Sequence, residues 1–138
     1  MNRRDLQDLA RERLRDSRAL LVKRRYVGAY YLAGYTVECA LKACIAKRTK
    51  RHDFPDKKIA NDSYSHDLAT LIGLAGLKAQ LESKIRADKT FELNWSVVKD
   101  WHVDDRYNLN ISAAEARDIY SAISARKAGV MSWIRGHW

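Results

Sequence analysis

The octapeptide WHVDDRYN at 101–108 sets His102 four residues before Arg106, with Tyr107 next in line. That set of side chains suits work on a phosphodiester. Metal-free RNA cleavage needs a group to take the 2′-hydroxyl proton, a group to protonate the leaving oxygen, and a cation on the pentavalent phosphorus. Histidine titrates near neutrality and fits the first two roles, and a guanidinium fits the third. If one helix runs through both residues, His102 and Arg106 share a face. The same residues also support a structural reading. Asp104 and Asp105 would repel a substrate phosphate, and Arg106 could pair with Glu38, Asp104 or Asp105 to hold the segment against the rest of the fold.

Two other positions carry polar chemistry. Glu38 lies among apolar residues in VECALKA, so an interior position would require a cation, either Lys42 four residues on or Arg106 across the fold. His66 and Asp67 open a helical stretch, where Asp67 suits the helix dipole in the first turn and His66 caps locally or packs against Tyr64. The candidate catalytic residues are therefore His102 and Arg106, and the candidate ligand-binding residues are Arg106, Tyr107, Glu38, His66 and Asp67. Metal ligation is not expected. The histidines are scattered, Cys39 and Cys44 lack zinc spacing, and the sequence holds neither a glycine-rich phosphate loop nor an HExxH pair. No cofactor is implied.

These residues must be held by helices. Residues 3–24 carry Leu6, Leu9, Leu14 and Leu21 at helical spacing, interrupted by charged residues. A break at Tyr26–Gly28 precedes a second helix over about 29–49, in which Gly34 implies a close neighbour because mid-helix glycine costs about 1 kcal/mol against alanine. Residues 50–64, with Pro55, read as a loop. Helix resumes at 65–77, with Ser65 as its N-cap. The 78–87 segment is a weaker helix, and Gly73 and Gly76 divide or bend this region. Another helix spans 91–103. The last is marked by a Ser112/Glu115 capping box followed by apolar positions 116, 119, 123, 130 and 134. No stretch alternates with the period of a strand. The expectation is one all-α domain over 1–138, a bundle of four to five helices.

Composition narrows the function. The 138 residues include one proline and six glycines, which argues against linkers and repeat arrays, and a chain of this size buries a core without staples. Cys39 and Cys44, five apart in one helix, read as buried free thiols in a reducing cytosol, so a cytoplasmic location is expected. The N-terminal stretch lacks the apolar core of a signal peptide, and the longest apolar run is too short for a membrane span. The net charge is +9, with arginines dense over 3–25 and a second basic block at 46–58. Such a field favours acidic partners, nucleic acid above all. Of the four tryptophans, one or two belong to the core, and Trp133 and Trp138 are candidates for an interface.

Three segments together carry a family likeness. AYYLAGYTVECALKACI sets tyrosines and alanines before a glutamate and then A-L-K-A, YSHDLATLIGLAG opens a helix with histidine, aspartate and leucine, and Arg106-Tyr107 precedes the final helix. In this order the chain resembles the HEPN family of small helical proteins. The resemblance implies a HEPN-like bundle, a two-fold homodimer, and either ribonuclease activity or a role beside a nucleotidyltransferase-type protein partner. The ribonuclease signature of the family is an arginine, four to six arbitrary residues, then a histidine. Here no arginine stands five, six or seven positions before His52, His66, His102 or His137. The motif is absent, so the reading leans away from an enzyme. It is a non-catalytic module that binds RNA, a nucleotide or a partner protein through a basic cleft near Arg106. The alternatives are a toxin-type endoribonuclease using His102 and Arg106, and an accessory or substrate-binding subunit of a nucleotidyltransferase.

Overall fold

Asn2 and Asp5 cap one another's backbone amides and start α1, Arg3–Val22. The helix ends where Arg24 takes a left-handed conformation, φ 59°, turning the chain directly into α2, Tyr26–Arg48. The break thus lies at 23–25, ahead of the Tyr26–Gly28 position expected from the sequence. The computed structural model describes residues 1–49 and 57–138. Residues 50–56 of the expected loop, with Pro55, His52 and the Lys50 and Arg51 of the second basic block, lie outside the described residues.

After them come α3, Lys57–Asp62, then α4, Leu68–Leu74, α5, Lys78–Ala87, and α6, Lys89–Val98. A 3₁₀ turn over Val103–Tyr107 leads to α7, Ala113–Ser124, and α8, Val130–Arg135. The protein is an all-α, multi-helix bundle, with eight α-helices and no strand among the described residues. This overturns the expected HEPN-type bundle of four to five helices.

The extra helices have local causes. Part of the supposed loop is α3. Gly76, at φ 70°, closes α4 while Leu77 N–H reaches back to Ile72 C=O at 3.1 Å, which is the division of 65–87 expected around Gly73 and Gly76 and adds no helix to the expected set. The supposed last helix is cut by Ala128, at φ 60°. Gly129 lies so close to the end of α7 that a Cβ there would meet the Ala125 carbonyl. The capping box of Ser112 and Glu115 does open α7.

α2 is apolar around its circumference and is buried on nearly every side, with Val37 and Leu41 fully enclosed. α1 packs along it, joined by a buried bond from Ser17 Oγ to Ala29 C=O at 2.7 Å. α4, α7, α8 and the 3₁₀ turn also lie on α2, and α6 packs on α7 and α8, bringing Leu68, Phe91, Ile119, Ile123 and Ile134 into one core. Gly34 admits the indole of Trp101, from the segment after α6, where a neighbouring helix was expected. Trp95 and Trp101 are buried, whereas Trp133 and Trp138 are half-buried against this chain's own core. Cys39 and Cys44 are free and buried.

Candidate functional site

The site is built from one face of α2. Tyr31, Tyr35, Glu38 and Lys42 follow at steps of four, three and four residues, which places them in a row along a helix. Glu38 is 1% exposed. Its Oε1 accepts a hydrogen bond from Lys42 Nζ at 2.9 Å and another from His66 Nδ1 at 2.7 Å. Oε2 is buried with no hydrogen-bond partner among the described residues. The cation expected for Glu38 is therefore Lys42, joined by His66 from 28 residues away, and not Arg106. A carboxylate can only accept, so it selects the His66 tautomer with the proton on Nδ1. The His66 side chain is half exposed, and its Nε2 is left as a proton acceptor.

Asp67, next in the chain, is the N-cap of α4. Its carboxylate accepts from Thr70 Oγ1 at 2.7 Å and Thr70 N–H at 2.9 Å. These bonds, first the hydroxyl and then the amide, hold its carboxyl below the usual range, and the nearby His102 adds to the effect. Ser65, expected as the cap, instead accepts from Asp67 N–H at 3.0 Å and braces the approach to the helix.

His102 and Arg106 occupy the 3₁₀ turn. His102 is its N-cap. Its Nδ1 accepts from Asp104 N–H at 3.2 Å, while Asp105 Oδ2 accepts from His102 N–H at 2.8 Å. At three residues per turn, positions four apart diverge by about 120°, so His102 and Arg106 do not share a face as they would on an α-helix. Arg106 lies over the Tyr107 ring, 4.8 Å from its centroid. Contacts with the hydroxyls of Tyr107 and then Tyr31 raise the guanidinium above its ordinary value. No ion pair joins Arg106 to Glu38, Asp104, Asp105 or any other described carboxylate.

Aromatic rings connect the two halves of the site. Tyr31 stacks on Trp101 at 5.9 Å and on Tyr35 at 6.0 Å. Burial, followed by the neighbouring Cys39, pushes the Tyr35 hydroxyl up to about 12. Tyr31, Tyr35 and Trp101 were not among the expected site residues. The steps from Tyr31 to Tyr35 and from Tyr31 to Glu38 already place both tyrosines on the glutamate's face, which is the signal that could have found them.

The structure thus joins Glu38 to His66 and gathers Arg106, Tyr107 and Tyr31. Chemically it offers an anchored proton acceptor, a cation without a carboxylate, and stacked rings. No group of three or more metal-ligating side chains forms among the described residues. No described helix is long and apolar enough to cross a membrane. Comparison with known proteins gave no matching family model, no matching curated protein and no matching solved structure.

Proposed function

We propose that this protein is a non-catalytic module that binds RNA, with Arg106 and Tyr107 at the contact surface. The observation that carries this reading is the state of Arg106. It is a guanidinium stacked on an exposed tyrosine ring, in a chain of net charge +9, with no described carboxylate neutralising it. Single-stranded nucleic acid is held by this pairing, in which cations track the phosphates and aromatic faces take the bases. The two acids of the turn are engaged locally, Asp105 with the His102 amide and Asp104 beside the imidazole. His102 Nδ1 serves as a backbone cap, which favours binding over proton transfer at that residue.

The test is a titration of a labelled single-stranded RNA oligonucleotide, followed by anisotropy at several salt concentrations without divalent metal. Binding should weaken steeply with salt. Arg106→Ala should weaken it several-fold and lower the salt slope by about 0.7, and Tyr107→Ala should weaken it with the slope kept. Arg86→Ala, on the exposed surface of α5, serves as the control. Equal losses for Arg106→Ala and Arg86→Ala would remove the focused site. Shortened RNA on a denaturing gel would overturn the non-catalytic reading.

A further inference from the structure

Arg11, Arg15 and Arg18 follow α1 at steps of four and three, forming a stripe along one side of the helix. Facing them are Tyr120 of α7 and Arg135 of α8, with Leu14 and Met131 completing the lining of a groove of about 330 Å³. Four guanidiniums and a phenol line it, and no carboxylate does.

The arginines are differently committed. Arg18 is exposed and has no ion-pair partner among the described residues. Arg11 pairs with Asp8 at 2.8 Å and Arg15 pairs with Glu12, both at the surface. Exposed pairs of this kind contribute little and exchange readily for another anion. The Tyr120 hydroxyl makes no hydrogen bond within the described residues. The groove is also organised from within. The Trp138 ring lies 4.9 Å from the Arg11 guanidinium and 5.8 Å from that of Arg135, and the Trp138 carbonyl accepts from Arg3 Nη2 at 2.6 Å. Trp138 thereby holds arginines of two helices on one side of the molecule.

We infer that this groove is a second RNA contact, in which Arg15, Arg18 and Arg135 bind phosphodiester groups and Tyr120 donates to a phosphate oxygen. The inference rests on the RNA reading above and adds to it a site remote in sequence from Arg106. Guanidinium suits phosphate because its planar donors bind two oxygens together. Converging cations from α1 and α8 supply that geometry without a glycine-rich loop.

The test uses the full chain and the same labelled oligonucleotide, with R15Q/R18Q, R86Q/R126Q and Arg106→Ala variants. Melting curves confirm that each is folded. R15Q/R18Q should bind roughly tenfold more weakly near physiological salt and flatten the plot of log affinity against log salt by about 1.4, the slope of two single-strand phosphate contacts. R86Q/R126Q removes the same charge elsewhere and should have less than half that effect. Tyr120→Phe should weaken binding with the salt slope unchanged. Equal losses in the two double variants would reduce the groove to bulk charge and overturn the inference. Loss in Arg106→Ala with wild-type binding in R15Q/R18Q would overturn the groove and leave the function standing. No salt-sensitive RNA binding by the wild-type chain would overturn both.

Discussion

The His66 imidazole and the Glu38 carboxylate meet at 2.7 Å, joining the entrance of α4 to the middle of α2. Glu38 is the only buried charged residue among those described, and both donors to it share one oxygen. An interior carboxylate costs several kcal/mol in desolvation and is tolerable only when such partners are fixed around it. The pair is therefore a positional constraint on the site before it is anything else.

Glu38→Gln should lower stability by about 2–3 kcal/mol, near the lower end for a broken buried pair, because Lys42 and His66 both reach water once released. Thermal unfolding should show a drop of roughly 6–10 °C. His66→Ala should cost less, about 1 kcal/mol, because only one of the two bonds is lost. The double variant should fall short of the sum of the two. Full additivity would mean that the 2.7 Å contact contributes no coupling.

Gly34→Ala sets helix propensity against packing. Alanine gains about 1 kcal/mol in a helix interior. Its Cβ, however, would sit 2.2 Å from Trp101 Cγ, Cδ1 and Nε1, and that indole is buried. Overpacking of this kind costs about 1–3 kcal/mol, so the net effect should be a loss. Displacing Trp101 also disturbs its stack with Tyr31, so near-ultraviolet circular dichroism should change and RNA affinity should fall. A variant more stable than wild type would show that the ring has room to move.

Signals that act within a few residues were legible in the sequence. Ser112 and Glu115 opened a helix as their spacing implies, and of the two cations expected for Glu38 the local one, Lys42, is its partner while Arg106 is not. Partners brought by tertiary packing were not. His66 lies 28 positions from Glu38, and nothing local to either names the other. The break at Ala128 was missed, and the one at Arg24 was placed a few residues late, for a related reason. Arg24 and Ala128 adopt left-handed backbone that their residue types disfavour, so composition gave no stop signal. His102 is an uncommon N-cap, which hid the 3₁₀ turn beyond the helix expected to end at 103 and left open a helix through Arg106. The groove lay half in view: the spacing of Arg11, Arg15 and Arg18 is readable, but the opposing Arg135 depends on how α8 docks.

Cys39 and Cys44 should be inert in the native protein. Burial pushes each thiol up to about 11, so almost no thiolate exists at pH 8. Ellman's reagent at that pH should react slowly with the folded chain and with both cysteines in urea. The linkage has a defined sign. An acid whose folded value is raised stays protonated when its unfolded counterpart ionises, so stability falls as pH rises above the ordinary thiol value of 9.0 towards 11. Rapid native labelling of both thiols would contradict the burial that produces the shift.

Asp67 provides the opposite pH dependence. Its carboxylate accepts both Thr70 donors, and those bonds hold its pKa below the ordinary 3.8. A carboxyl lowered on folding contributes stability that is present above the ordinary value and is lost as pH falls through the folded one. At pH 7 Asp67→Ala should therefore lose the N-cap and about 1 kcal/mol. As the pH is lowered below 3.8 the gap between wild type and variant should narrow, because the wild-type carboxylate becomes protonated as well. Asp67→Asn keeps an oxygen acceptor for the Thr70 amide and should retain most of the cap with little dependence on pH in this range. Urea unfolding of the three proteins at neutral and acid pH measures all of this. A wild-type-to-alanine gap that persists undiminished in acid would mean that the cap acts through geometry alone, with no contribution from the charge.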